Sequence, residues 1–330
     1  MKVIIPVAGI GSRLRPHTFS MPKALIPVAG KPMIEHILDR LRGLKPSEVS
    51  LVVGFLGDKI VDYLGDESSL PLRFYYQREM LGLGHAIWQV LKEVDDGDAL
   101  IVLGDSILDV DYDSAVKSKE TVIGVREVDD PRRFGVVIVH DDGYIHRLVE
   151  KPDEPVSRLA IAGLYYFPSV HGLREALGTL IEKDIRTKGE YQLTDALQIL
   201  IDKGENMRPF TIDGWYDCGK PETLLETQRL LLDKEGGTHQ VLDGSIVRPP
   251  VAISERAAIS GSVIGPYVSV DAGATIRDSV ISDSVVFRGA EVEGCRLSAS
   301  LIGIDAKVQD YNGSVNVGQK AEVLPYRDGA

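Results

Sequence analysis

Five cations, Lys2, Arg13, Arg15, Lys23 and Lys31, precede the first carboxylate of the chain, Glu35. Over all 330 residues the balance is the reverse, 37 Lys and Arg against 49 Asp and Glu, for a net charge of −12. Positive charge is therefore segregated at one end of the sequence. It lies in or beside the stretch Gly9-Ile10-Gly11-Ser12-Arg13-Leu14-Arg15-Pro16, which directly follows an apolar run over residues 3–7. Glycines let backbone N–H groups approach an oxyanion without interference from a Cβ, and arginine and lysine neutralise its charge. Those residue types at that spacing describe a cradle for a polyphosphate.

Other readings of the same stretch fail on single residues. A dinucleotide-binding G-x-G-x-x-G needs a glycine where Leu14 stands, and a Walker A loop needs a Gly-Lys-Ser/Thr that is missing. The acid-poor start has the composition of a transit peptide, yet residues 3–7 read at once as a core strand. That apolar run is also short for a secretory signal, and no stretch approaches eighteen apolar residues, so a cytoplasmic protein with no membrane partner is expected. Cys218 and Cys295 are too few for a disulfide framework and too far apart for a metal knuckle. An acidic chain offers no sequence-independent grip on nucleic acid.

A cradle needs a scaffold. Strands are expected at 3–7, 50–53, 73–76, 99–103, 122–125, 136–139, 145–149 and 160–167, where Val, Ile and Tyr are dense and several runs are apolar throughout. Met33, Ile34, Ile37, Leu38 and Leu41 repeat at helical spacing after Pro32, and helices are expected at 86–94, 171–180, 195–203 and 221–232. Alternating β and α implies an α/β fold with a doubly wound, mostly parallel, Rossmann-like sheet. Ligands bind such sheets beyond the carboxyl ends of the strands. Asp105 follows the strand at 99–103 and Gly104, which puts a carboxylate at that edge.

After about residue 240 helical periodicity stops. Ile253, Ile259, Ile264, Val270, Ile276, Ile281, Val286, Val292, Leu297 and Ile302 recur every five or six residues beside Gly, Ala or Ser. That is the hexapeptide signature of a parallel β-helix, in which each repeat forms one side of a triangular coil. Sandwich turns would recur every eight to twelve residues instead. The expected division is a domain over 1–238 and a β-helix over 239–330, joined by the polar, glycine-bearing stretch 233–238.

The run from Ile5 to Ile34, with Gly9, Gly11, Ser12-Arg13-Leu14-Arg15-Pro16, Pro22-Lys23 and Gly30-Lys31-Pro32 in order, resembles the signature of the sugar-phosphate nucleotidyltransferases. These enzymes join a sugar 1-phosphate to a nucleoside triphosphate and release pyrophosphate. The resemblance covers nearly the whole chain and is closest to the long-form glucose-1-phosphate thymidylyltransferases, which end in a left-handed β-helix. It implies a nucleotidyltransferase domain over 1–238 that makes dTDP-glucose from dTTP and glucose 1-phosphate. UTP stands as the alternative nucleotide, because thymine and uracil differ by one methyl.

The resemblance also implies roles. Ala8, Gly9, Gly11 and Ser12 would carry the nucleotide, Arg13 would face its β- and γ-phosphates, and Lys23 the α-phosphate. Gln77 and Gly82, in Gln77 and Leu81-Gly82-Leu83-Gly84-His85-Ala86, would read the base, since an amide presents a donor and an acceptor to an imide. Asp105, also counted with the nucleotide, and Asp217, in Trp215-Tyr216-Asp217-Cys218-Gly219-Lys220-Pro221, would bind Mg²⁺. Gly135, Glu150, Lys151, Gly163 and Tyr165 would form the sugar-phosphate side, with Glu150 on sugar hydroxyls and Lys151 on the phosphate. Arg13, Lys23 and Lys151 form the expected catalytic set. Asp195 matches a further family motif, but Thr194 reads equally well as a helix N-cap. Ser12 stands where threonine is commoner, and Ser106 where the nearest relatives carry asparagine, which bears on substrate identity rather than reaction type.

Two rival activities have distinguishing residues. Acetyl transfer by the β-helix would call for a histidine base, and all seven histidines lie at or before His239. A non-catalytic regulatory subunit would be expected to lose the charged set, yet Arg13, Lys23, Asp105, Lys151 and Asp217 are all present. The β-helix is read as a surface for packing on the catalytic domain or for joining subunits of a homo-oligomer.

Overall fold

A computed structural model describes residues 1–65, 69–237 and 244–325. By packing, the chain forms two compact units: Met1–Ile10 with Ile37–Trp215, and Gly11–His36 with the chain from Tyr216 onward. The sequence boundary expected at 238/239 lies outside the described residues.

In the first unit the strand Lys2–Pro6 lies parallel between Glu48–Val53 and Ala99–Val102, and Leu72–Tyr76 extends the sheet beyond Glu48–Val53. Val3, Ile4, Ile5, Leu51, Val52, Val53 and Leu100 to Val102 are all inaccessible to solvent. A run buried on both faces has no polar side to show, which is why these strands do not alternate. Past Ala99–Val102 the direction reverses. Leu159–Phe167 runs antiparallel to that strand and to Thr121–Glu127, and the hairpin of Gly135–Val139 with Ile145–Glu150 completes that side. Among the described residues the sheet has nine strands. The helices Leu83–Leu91, His171–Glu182 and Leu193–Asp202 share its main apolar core through Ile87, Val90, Leu173, Leu177, Leu197 and Leu200.

All eight expected strands form, their ends moved by one or two residues. Several elements, among them the helix Gly57–Leu64 and the strand Met207–Thr211, have no counterpart in the expectation. The helix Gly57–Leu64 follows directly on Leu56, which sits in the left-handed region at φ 55°. The strand Met207–Thr211 contains Pro209 and pairs only with Thr121–Glu127. An edge strand tolerates proline because one of its sides carries no ladder.

The second unit contains three five-stranded parallel sheets, stacked as the sides of a coil. Ala258 pairs with Thr275, Thr275 with Glu291 and Glu291 with Lys307, so a full turn takes sixteen or seventeen residues, three sides of five or six. This is consistent with the left-handed β-helix expected from the hexapeptide repeat. Nine of the ten repeating aliphatics are at most 3% exposed, and Ile259 packs against their cluster.

Serine ladders satisfy polar groups at the corners. Ser262 Oγ donates to Ser260 O at 2.7 Å and accepts from Ser279 N at 3.1 Å; Ser279 Oγ donates to Arg277 O and accepts from Cys295 N at 3.0 Å. A second ladder climbs from Ser284 to Ser300 to the N–H of Val315. Each hydroxyl takes up an N–H at a corner and returns its own hydrogen to a carbonyl two residues back. Cys218 and Cys295 are both buried thiols. No helix among the described residues is long and apolar enough to cross a membrane.

Candidate active site

The loop of cations belongs to the second unit from Gly11 onward. Gly11 adopts φ 67°, and a Cβ there would come within 3.0 Å of Lys23 Cβ and 3.1 Å of Thr18 Cγ2. Both facts require glycine. Its carbonyl accepts from Thr18 Oγ1 at 2.8 Å and from Leu14 N at 2.9 Å. Leu14 is fully buried, whereas Ser12 and Arg13 on either turn face are exposed. One apolar anchor thus holds a loop whose charged groups face outward. Lys23 opens the short turn Lys23–Leu25, with its stem against Gly11.

The same unit brings Asp217 beside Arg13. Asp217 ends the strand Gly214–Asp217, and its Oδ1 accepts from Gly219 N at 2.8 Å. Thr227 Oγ1 donates to its carbonyl at 3.1 Å. A Cβ on Gly219 would meet Asp217 Oδ1 at 2.8 Å and Arg13 Nη2 at 2.9 Å. Residues more than two hundred positions apart in sequence share that small space.

In the first unit, Ala8 and Gly9 leave the carboxyl end of the central strand between two close glycines. A Cβ on Gly54 would strike Ala8 O at 2.8 Å, and one on Gly104 would strike Val7 Cγ1 at 2.3 Å. Gly9 itself is exposed with nothing within 4 Å of a Cβ position. Nearby runs a cleft of about 270 Å³ lined by Ile10, Gly54, Phe55, Tyr76, Gln77, Arg78 and Met80.

Gln77 is 5% exposed, and its amide orientation is set by chemistry. Nε2 donates to Gly82 O at 2.9 Å, an acceptor that cannot reverse its role, and lies 3.1 Å from His85 Nδ1. Burial, then the charge of Lys92, push the pKa of His85 down, and its Nε2 in turn lies 2.9 Å from Gln89 Nε2. With Nε2 turned to Gly82 O, what Gln77 offers a ligand is Oε1, an acceptor suited to the N–H of an imide. Gly82 adopts φ 99°, and what crowds its missing side chain is Glu190 Cβ at 2.7 Å and Tyr191 O at 2.9 Å. The turn is also tied by Tyr191 N to Leu81 O and Gly84 N to Tyr191 O. The helix after it begins at Leu83, three residues ahead of the expected start.

Asp105, Tyr165 and Glu150 gather on the other side of the strand ends. Asp105 is exposed, with Ser106 Oγ 3.5 Å from its Oδ1. Tyr165 is 3% exposed; desolvation, then the charges of Glu150 and Asp105, push its phenol upward, so it stays neutral between two carboxylates. Gly163 adopts φ 88° with a Cβ position 2.9 Å from Leu103 Cγ, and its carbonyl accepts from Leu103 N at 2.8 Å.

Gly135 pairs with Glu150 in the hairpin, and a Cβ on it would come within 3.0 Å of Glu150 Oε2 and 3.1 Å of Thr194 Cγ2. Glycine leaves room for the carboxylate. Glu150 Oε2 accepts from Thr194 Oγ1 at 3.0 Å, and its Oε1 lies 3.2 Å from Lys151 Nζ. Lys151 adopts φ 45°, held by its own N–H on Phe134 O and by Lys188 Nζ on its carbonyl.

Three features escaped the sequence reading. Thr194 is not an N-cap: the helix is Leu193–Asp202 with Gln192 at the cap, and the Thr194 hydroxyl serves Glu150 instead. Asp195, next to it, has a buried Oδ2 without a hydrogen-bond partner, and burial followed by the charge of Glu150 raises its pKa against a bond from Thr187. Trp215 packs against Phe134, ring centroids 4.7 Å apart and planes tilted by 57°, and carries a buried indole N–H without a partner. Such orphaned groups are rare in native proteins and mark places where a polar ligand fits. The signal for Trp215 was present in the sequence as the head of the motif around Asp217.

The loop, the amide and the paired acid and lysine are the parts a nucleotide and a sugar phosphate require. The family described as nucleotidyl transferase matches residues 2–234. The chain is 34% identical over 337 residues to the glucose-1-phosphate thymidylyltransferase of Streptomyces griseus, which covers 93% of each chain. It is 34% identical over 245 residues to the UTP–glucose-1-phosphate uridylyltransferase AglF of Haloferax volcanii, covering 71% of this chain and 98% of that one. A solved structure described as a putative glucose-1-phosphate thymidylyltransferase from Bacillus anthracis in complex with a sucrose aligns with a TM-score of 0.62 at 27% identity, over 71% of this chain and 96% of that one. The chain belongs to the nucleotidyl transferase family, within its sugar-1-phosphate nucleotidyltransferases.

Proposed function

We propose that the chain transfers a thymidylyl group from dTTP to glucose 1-phosphate, giving dTDP-glucose and pyrophosphate, with residues 1–238 as the catalytic domain and 239–330 as the β-helix domain. The observation that carries the choice of nucleotide is the likeness to the Streptomyces griseus thymidylyltransferase over 93% of both chains. An acceptor at Gln77 Oε1 beside an apolar cleft is in keeping with a thymine or uracil ring. Self-association and a cytoplasmic location belong to the same proposal.

In this reading a phosphate oxygen of the sugar 1-phosphate attacks the α-phosphorus. One P–O bond forms as the bond to the β-phosphate bridging oxygen breaks, and pyrophosphate leaves with the electron pair. Both reactants are anions, so the protein's work is neutralisation and alignment. Arg13 forks onto the departing phosphates, and the compact charge of Lys23 follows the α-phosphate. The backbone of Ala8, Gly9, Gly11 and Ser12 supplies N–H donors. Lys151 holds the phosphate of the sugar, and Glu150, oriented by Thr194, accepts from sugar hydroxyls.

Asp105 and Asp217 are the carboxylates proposed for Mg²⁺. Their hard oxygen donors fit that ion, which is commonly held by one or two carboxylates with substrate phosphates and water filling the rest. Among the described residues no group of three or more His, Cys, Asp or Glu forms a closed metal cage. When bound, the ion supplies charge neutralisation on phosphate oxygens.

The test is a matrix of nucleoside triphosphates against glucose, glucosamine and galactose 1-phosphates, with pyrophosphate release measured in Mg²⁺. The highest kcat/KM is expected for dTTP with glucose 1-phosphate. A preference for UTP makes the chain a uridylyltransferase, and no turnover with any pair points to a regulatory subunit.

A further inference from the structure

One side of the β-helix is buried outside as well as in. In the coils Val251–Ile253, Val268–Val270, Ser284–Val286 and Ser300–Ile302 the flanking residues fill the interior, yet the outward middle residues Ala252, Ser269, Val285 and Leu301 are at most 5% exposed. On the neighbouring side the outward Glu291 and Glu293 are exposed. Part of the cover of the first side is the segment that carries the cations, whose Gly30 lies against Ala252, and part is the helix Pro221–Glu235, whose Gln228 Oε1 accepts from Ser269 Oγ.

The contacts run the length of the coils. A Cβ on Gly30 would lie 2.7 Å from Ala252 Cβ. Ala29 N donates to Gln228 Oε1 at 3.4 Å, and the fully buried Gln228 in turn donates to Tyr267 O at 2.9 Å and Ser284 O at 3.1 Å. Nearer Arg13, the ring of His17 packs on Phe287 at 4.9 Å, and its Nε2 meets Asn316 Oδ1 at 2.6 Å. A Cβ on Gly318 would come within 2.9 Å of Pro16 Cβ. His17 stands four residues after Arg13 and six before Lys23, in a loop closed on itself through Gly11.

We propose that the β-helix is the positioning element of the phosphate-gripping loop, with Asn316, through His17, setting where Arg13 and Lys23 lie. Asn316 touches no reacting group in this scheme; it is a positioning residue. With Nε2–H donating to Asn316, the buried Nδ1 of His17 has no hydrogen-bond partner, so this one bond orients the ring. A neutral hydrogen bond is worth about fivefold in an equilibrium. The inference rests on the proposed roles of Arg13 and Lys23 in holding nucleotide phosphates.

Asn316 is exposed, so Asn316→Ala leaves the coil interior intact. In the full chain this variant is expected to speed deuterium uptake at the amides of residues 14–26 about fivefold, with uptake in the coils 251–309 unchanged. It is also expected to raise the KM for nucleoside triphosphate by a similar factor without moving that for sugar 1-phosphate. Asn316→Asp, which keeps an acceptor for Nε2–H, should restore both. Phe287→Leu, which keeps apolar volume but removes the ring contact, should act in the same direction as Asn316→Ala. Wild-type uptake in the loop of both Asn316→Ala and Phe287→Leu overturns the proposal. If the wild-type chain transfers no nucleotidyl group, the functional reading fails, and the exchange measurement still decides whether the β-helix holds the loop.

Discussion

Gly219 lies against the guanidinium of Arg13: a Cβ on it would come within 2.9 Å of Nη2 and 3.3 Å of Cζ. The other atom in the way is Asp217 Oδ1 at 2.8 Å. Both are the far ends of flexible side chains, so Gly219→Ala should fold, shifting Tm by no more than about 3 °C. It should nevertheless push aside the arginine proposed to face the leaving phosphates, lowering kcat about tenfold or more. A thermal melt and a pyrophosphate-release assay on the same preparation check this, and full activity would show that Arg13 needs no such room.

Thr194 spends its hydroxyl on Glu150 Oε2. Thr194→Val keeps the shape and branching of the side chain and removes only that bond. A hydrogen bond to a charged group contributes about 1.5–3 kcal/mol, so the KM for sugar 1-phosphate should rise about tenfold or more. The KM for nucleotide should stay as it is. Equal losses in both would detach Glu150 from the sugar.

Asp105→Asn preserves volume and discards charge. Because Asp105 is proposed to hold Mg²⁺, the variant should shift the metal titration of turnover upward by about tenfold or more. An unchanged Mg²⁺ curve in the variant removes Asp105 from the metal site.

Asp271, in the β-helix, has its carboxyl pushed up to about 6 by desolvation, against opposing contributions from the backbone N–H and charge of Arg288. Because the folded value lies above the ordinary carboxylate range, the folded chain binds the proton more tightly than the unfolded chain between about pH 4 and pH 6. Stability from this group is therefore present at low pH and lost as pH rises through that window, up to about 3 kcal/mol. Asp271→Asn should raise Tm at pH 7 by several degrees and leave it nearly unchanged at pH 4. Melts at the two values decide the matter, and a variant that gains nothing at pH 7 contradicts the assignment.

Much of the scaffold was legible because it rests on local rules. The strands around Ile4, Val52 and Ile101 are continuous apolar runs, and burial on both faces is the way such runs are accommodated in a sheet. The β-helix was legible because each coil repeats the same small problem, an aliphatic inward and a tight corner, so its period is written in the residues. Less legible were elements set by distant neighbours. Met207–Thr211 is a strand only because Thr121–Glu127 offers it an edge, and Thr194 faces Glu150 only because its helix packs against the hairpin.

By itself, then, the sequence determined the two architectures, the glycine-rich loop of cations and the family of chemistry. These follow from residue type and spacing, which act over a few positions. Tertiary structure alone decided that the loop at Gly11–His36 packs in one unit with the β-helix, that His17 is held by Asn316, and that Arg13 and Asp217 meet over Gly219. Contacts between residues two or three hundred positions apart depend on how whole sheets and coils stack, and no local pattern encodes that.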